Sequence, residues 1–247
     1  MLNITIKHQV YKGIPYNEYY SDIKDSKGLV FIQHGFESNK NRGADYIGVD
    51  LARLGFNVVA IDAYKHGSRI EEPFISKENY EKFEDAFNVI DKSGDDILEI
   101  YNGLYESRFE SFDFIGVSMG GMIAYNCALK TNRINRLIPV ISTPYLYQLA
   151  EWLVDREDND FYREKLVNIK DYIVSIDPYY KMEELKYHEL YMINTLRDDI
   201  VPFKFSDHLY GQNLENVSFQ VFDEKHVVSR EMKEHILSYI AKEKVVL

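Results

Sequence analysis

The sequence predicts an α/β protein built on a mainly parallel sheet with helices on both faces. Three observations predict it. Short continuous apolar runs recur along the chain, as in strands buried on both sides of a sheet. Stretches with helical spacing separate them, so successive strands are joined by crossovers and run parallel. One run, Phe112-Asp-Phe-Ile-Gly116, passes through Val117-Ser118-Met119-Gly120 into the helix-like stretch Met122 to Leu129.

The segment Ile4 to Tyr20 alternates as two antiparallel strands do, with Gly13-Ile14-Pro15 as the turn. Gly28 to Gln33 is the first buried strand and ends at His34-Gly35-Phe36. Helical spacing at Tyr46, Val49, Asp50, Leu51 and Leu54 follows, closed by Gly55. Phe56 to Ile61 is a second buried strand, ending at Asp62 and the turn Lys65-His66-Gly67. A long helical region from Phe83 to Leu104 comes next, with Ser93-Gly94 as its expected break. After the Ser118 turn and its helix, Arg136 to Ser142 is a strand, as are Glu189 to Asn194 and Val217 to Phe222. Val228 to Lys242 closes the chain as an amphipathic helix.

The alternation fails between Pro144 and about Lys186, a charged and aromatic stretch whose periodicity gives two or three helices. The chain of 247 residues fits one large domain, 1–247. Residues 144–187 are therefore expected to form a helical cap inserted over the strand ends.

Composition narrows the function classes. A formal net charge of -11 argues against nucleic acid, whose phosphates need clustered Lys and Arg. No stretch is long and apolar enough to span a bilayer. The first eight residues alternate like a strand and lack the apolar run of a secretion signal. The single cysteine, Cys127, has no partner for an internal disulfide, which favours a reducing cytoplasm. The oligomeric state stays open, a homodimer included.

The chemistry is carried by Gly116-Val-Ser118-Met-Gly120. Gly-x-Ser-x-Gly between a strand and a helix is the form of a nucleophile elbow, a strained turn that lifts the serine hydroxyl above the sheet. Small residues two before and two after the serine keep strand and helix from colliding. Ser118 is thus a candidate nucleophile of a hydrolase or acyltransferase. A serine hydroxyl needs a base, and the base an orienting carboxylate. Asp198 and Asp199 follow the strand after the insertion, and His226 follows the last strand. Taken singly, paired aspartates are usually a solvated turn and a lone histidine among charges is usually surface. Each candidate, however, falls just past a predicted strand, on the sheet edge where ligands bind.

The backbone amides of Met119 and Phe36 are the candidate oxyanion donors. His66 is a rival base, with bracing of the His34-Gly35-Phe36 loop as its preferred role. The remaining histidines, His8, His188, His208 and His235, form no close metal-ligand spacing, so no metal is expected.

These motifs closely resemble the α/β-hydrolase superfamily. The resemblance rests on His34-Gly35-Phe36, Asp62 with His66-Gly67, the Ser118 elbow, Asp198-Asp-Ile-Val-Pro202 and His226, in family order over nearly the whole chain. The run His34-Gly-Phe-Glu-Ser-Asn-Lys40 is similar to small bacterial carboxylesterases with a His-Gly-Phe-x-Ser-x-Lys loop. The resemblance implies an α/β-hydrolase fold with a mostly parallel eight-stranded sheet. It also implies a serine esterase acting on a small-molecule acyl ester without a cofactor. Carried over by position, Ser118 is the nucleophile, His226 the base, and Asp198 rather than Asp199 the acid. Glu224-Lys225-His226 departs from the family in lacking the glycine that often precedes the histidine.

Overall fold

A computed structural model of the protein describes residues 3–70, 79–210 and 216–242. The side chains of Tyr46, Phe83 and His208, used in the sequence reading, lie outside the described residues. Eight strands form one sheet in the order β1-β2-β4-β3-β5-β6-β7-β8. Strands β1 (Ile4–Tyr11) and β2 (Ile14–Ser21) make a hairpin, and β2 pairs antiparallel with β4 (Asn57–Ile61). The other strands, β3 (Leu29–Gln33), β5 (Phe112–Val117), β6 (Ile134–Val140), β7 (Glu189–Thr195) and β8 (Val217–Phe222), pair in parallel.

The first turn lies one residue earlier than expected. Lys12 and Gly13, with φ of 47° and 80°, form it, while Ile14 and Pro15 already belong to β2. Positive φ at both central residues matches the twist of the flanking strands.

Helix α1 (Lys40–Arg53) is capped by the Asn39 side chain, which accepts from the amides of Asn41 and Arg42. Helix α2 (Asn79–Ile100) runs unbroken through Ser93-Gly94 into a five-residue π-helical turn at Tyr101–Tyr105. The expected break is instead a contact point. Ser93 Oγ accepts the Tyr64 amide at 2.9 Å, and a Cβ on Gly94 would lie 2.7 Å from Asn126 Oδ1. Helix α3 (Met119–Lys130) therefore packs closely against α2, and the glycine serves that approach rather than a bend.

Between β6 and β7 stand α4 (Leu146–Glu157), α5 (Asp160–Ile176) and a 3-10 segment at Pro178–Glu184. The buried Asp177 carboxylate accepts the amides of Tyr147 and Tyr179, tying the start of α4 to the end of α5. Burial raises its pKa against the pull of these hydrogen bonds. Helix α6 (Arg230–Ala241) begins at a Ser229 cap.

Alternate residues of each strand feed two cores. On β3, Leu29 and Phe31 face α2 and α3, with Ile97, Ile100 and Ile123. Val30 and Ile32 face α1 and α6, with Leu51, Met232, Ile236 and Ile240. The last three recur every fourth residue along α6, and each is worth ~2 kcal/mol of transfer free energy when buried. Arg136 fixes that helix from within the sheet. It forms a two-pronged ion pair with Asp113 (3.0 and 2.6 Å) and donates to the Ile240 carbonyl at 2.8 Å. The C-terminal carbonyls of α6, otherwise without intrahelical donors, gain a cation there.

Candidate active site

The site begins where β5 meets α3. A Cβ on Gly116 would lie 2.1 Å from the Gly120 carbonyl oxygen, and one on Gly120 would lie 2.3 Å from the Gln33 carbonyl oxygen. No side chain fits either gap, so α3 starts directly over the ends of β5 and β3. Ser118 sits at φ 54°, ψ -118°, a region that non-glycine residues seldom occupy. Four hydrogen bonds hold its backbone, the longest from the Met122 amide to its carbonyl at 3.3 Å. Its amide donates to the Val140 carbonyl at 2.9 Å, while its own carbonyl accepts from the Gly121 amide and from Ser142 Oγ, both at 2.8 Å. Ser142 is itself held, since its carbonyl accepts from Asn194 Nδ2 at 2.9 Å and Ser206 Oγ at 3.2 Å. The preceding Ile141 has φ 46°, strained for a β-branched residue. Strain thus occurs on both sides of the Ser142–Ser118 bond.

Three residues far apart in sequence meet above this turn. Ser118 Oγ lies 2.9 Å from His226 Nε2, and His226 Nδ1 lies 2.7 Å from Asp198 Oδ2. Asp198 Oδ1 accepts the amides of Ile200 and Val201 at 2.9 and 2.8 Å. With the carboxylate oxygens accepting, the ring proton belongs on Nδ1, and the Nε2 lone pair faces the serine hydroxyl. The side chain of Asp198 is 1% exposed and that of His226 18%. Asp199 is exposed, and its backbone carbonyl accepts Arg156 Nη1 at 2.7 Å. Accordingly, Asp198→Asn is expected to lower kcat by about 10⁴-fold, the cost of a misassigned imidazole tautomer, and Asp199→Asn by less than about threefold. Steady-state kinetics on the two variants checks this.

The His34-Gly35-Phe36 loop lies beside the serine, since a Cβ on Gly35 would be 3.3 Å from the Val117 carbonyl oxygen and 3.4 Å from Ser118 Cβ. Its geometry is set by buried polar groups. His34 donates from Nδ1 to the Gly35 carbonyl at 2.7 Å and accepts the Ala63 amide on Nε2 at 3.0 Å. Both nitrogens are used by the neutral ring, and burial pushes its pKa down to about 4. His66 donates from Nδ1 to the Tyr64 carbonyl at 2.9 Å and packs its ring against Phe36 and His34. Asp62 fixes the start of α1 by accepting from the Lys40 amide, Lys40 Nζ and Ser68. Burial pushes the Asp62 carboxyl up, but hydrogen bonds from Lys40 and Ser68 outweigh it and hold the pKa below the ordinary value.

These shifts give stability a direction with pH. The folded chain keeps His34 neutral down to about pH 4, whereas the unfolded chain protonates it near 6.5. The unfolded state therefore binds more protons between those values, and stability falls as the pH drops from 7 towards 4. The expected loss is up to about 3 kcal/mol. Asp62, with a lowered pKa, adds a loss in the same direction below the ordinary carboxylate range. Urea midpoints at pH 7, 5.5 and 4 check the slope, and a His34→Gln variant should flatten it.

A cavity of about 350 Å³ opens beside Ser118. Phe36 and Met119 flank the serine, and Ile200 and Val201 border the side next to Asp198. The backbone amide of Met119, in the first turn of α3, has no acceptor within the helix. Among the described residues no cluster of three His, Cys, Asp or Glu is arranged to hold a metal ion, and no helix is long and apolar enough to cross a membrane.

The family model described as serine aminopeptidase, S33, matches residues 24–158. The chain belongs to this hydrolase family. "Putative esterase YitV" of Bacillus subtilis (strain 168) is 24% identical over 238 residues, which span 87% of this chain and 89% of that protein. The crystal structure of TT1662 from Thermus thermophilus superposes with a TM-score of 0.71 at 15% identity, over 98% of this chain and 100% of that one. Pyrococcus furiosus esterase Pf2001 superposes with a TM-score of 0.62 at 18% identity, over 97% and 92%. At such identities the structural likeness establishes the fold, and that fold is the α/β-hydrolase fold.

The sequence reading missed Ser142, Asn194 and Ser206 around the elbow. No spacing rule marks them, because each acts on a carbonyl brought near only by the sheet.

Proposed function

We propose that this protein is a serine hydrolase that cleaves small to medium carboxylic esters through an acyl-enzyme on Ser118. The observation that carries the proposal is the unbroken hydrogen-bonded line from Ser118 Oγ through His226 to Asp198. Its support is chemical: a lone pair on Nε2 faces the hydroxyl, and a buried carboxylate fixes the ring behind it.

In the proposed cycle, His226 Nε2 takes the Ser118 proton as Oγ attacks the ester carbonyl. Asp198 stabilises the imidazolium that forms. The amides of Met119 and Phe36 donate to the developing oxyanion. The carbon–oxygen bond to the alcohol then breaks, and the His226 proton leaves with the alcohol. Water attacks the acyl-enzyme, giving a proton to His226. The bond to Ser118 Oγ breaks, Ser118 regains its proton and the carboxylic acid departs. No step calls for a cofactor or metal. Residues 144–187 act in this reading as a cap that walls the substrate space within a single domain. The lone buried cysteine suits a cytoplasmic setting.

The same machinery could serve a thioesterase, peptidase or lipase, and the family description favours the peptidase among these. A non-catalytic ligand-binding protein on the same fold is the alternative from another class. A fluorophosphonate probe separates the classes: labelling at Ser118 is expected, and folded protein that stays unlabelled beside a labelled control hydrolase would favour binding. Comparing kcat/KM for p-nitrophenyl esters, acyl thioesters and aminoacyl p-nitroanilides separates the substrates.

A further inference from the structure

The charged and aromatic character of the 144–187 segment suggests an aromatic wall for the substrate. The cavity is walled differently. Helix α4 turns Leu146, Leu149, Ala150 and Leu153 into it, at the spacing of one helical face. Its aromatics serve elsewhere: Trp152 packs edge-on against Phe205, and Lys170 lies over the Tyr147 ring. Across the cavity stand Phe87 and Ile90 of α2 and Met122 of α3. Among the described residues lining the space, Glu37 is the one charged side chain, and it is exposed.

From this lining we infer that the cavity is an acyl-chain site for medium-length aliphatic acids of roughly six to ten carbons. We further infer that Ala150 sets the length it accepts. The inference rests on the serine-hydrolase reading above and names the substrate class of that site. The volume gives the length. An apolar cavity of ~150 Å³ takes a benzene ring, so one near 350 Å³ takes about a dozen carbon-sized atoms. Part of that space belongs to the ester group beside Ser118, which leaves six to ten carbons for the chain.

The lining also sets polarity. A buried carboxylate on the acyl part would lose its hydration with no positive charge among the described lining residues to meet it, a cost apolar walls do not offset. The thioethers of Met119 and Met122 are flexible and fit a chain of variable bend. Ala150 is the small residue of the α4 stripe and is 1% exposed. A larger side chain there takes its volume from the cavity itself.

The test is the kcat/KM profile of p-nitrophenyl esters from acetyl to dodecanoyl. It is paired with inactivation rates by p-nitrophenyl alkylphosphonates of matching length, which report occupancy of the site without turnover. Each buried methylene is worth roughly threefold to fourfold, so the octanoyl ester should exceed the acetyl ester by ~100-fold or more. Ala150→Phe should move the maximum of both profiles to shorter chains, and Leu153→Ala should move it to longer ones. Opposite shifts from two variants are not produced by general loss of stability. If Ser118 is labelled and esters are cleaved but the rate falls steadily from acetyl onwards, the chain-length inference is overturned and the esterase reading stands. Profiles that keep the wild-type maximum in both variants would remove Ala150 from its role. No cleavage and no labelling would overturn both readings together.

Discussion

Ser118→Ala is expected to lower kcat/KM for a p-nitrophenyl acyl ester by ~10⁴-fold or more, because residues of such a unit act together and the loss of one removes most of the joint effect. Stability should change little. Ser118 is held through its backbone, by the Val140 carbonyl and by Gly121 and Ser142 on its own carbonyl, and alanine keeps all of these. The hydroxyl contributes one hydrogen bond, to a partly exposed histidine that water can satisfy. The strained φ of 54° is no easier for alanine than for serine. A variant with an unchanged melting temperature and almost no turnover is the expected pairing. A purified variant that kept most of the wild-type rate would remove Ser118 from the chemistry.

The second large effect is on folding. Gly116→Ala would place a Cβ 2.1 Å from the Gly120 carbonyl oxygen and 2.6 Å from the Gly121 nitrogen. These are backbone atoms, so no side chain can rotate away. Relief requires α3 to lift off β5, and α3 is buried along nearly its whole length. Overpacking of this kind costs about 3 kcal/mol or more. The expected result is insoluble protein, or a melting temperature lowered by roughly 6 °C or more for a chain of this size. Gly13→Ala makes the contrast, since nothing lies within 4 Å of its added Cβ and only its positive φ opposes the change. Comparing both variants with wild type by thermal unfolding checks the difference.

Much of the fold was legible because burial leaves a simple mark. Val30, Phe31 and Ile32, or Val58, Val59 and Ala60, need apolar side chains on both faces, and a continuous apolar run has few other readings. The line of Ser118, Asp198 and His226 was legible because each sits just past a strand, where a parallel sheet gathers its loops. The residues alone left Asp198 and Asp199 open and only the family resemblance preferred Asp198, because the hydrogen bond from His226 to its carboxylate joins loops far apart in sequence. Ser93-Gly94 misled for a related reason. A glycine that weakens a helix locally reads as a break, while its use here is to admit Asn126 from a helix more than thirty residues away. The aliphatic face of α4 was hidden among aromatics whose destinations depend on α5 and on Phe205. Polar groups on single carbonyls, such as Ser142 on Ser118, leave no periodic trace.

The position of β8 has a temporal consequence. It is the last strand of the sheet and pairs on one side only, with β7. Edge strands open more readily than central ones, because fewer contacts close over them. Ser118 hangs from β5 and Asp198 from β7, both interior, while His226 hangs from β8. Transient peeling of that margin would carry the imidazole away while the serine and the carboxylate stayed in register. In the proposed reading the proton carrier is thus the member of the trio anchored to a strand with a single hydrogen-bonded neighbour.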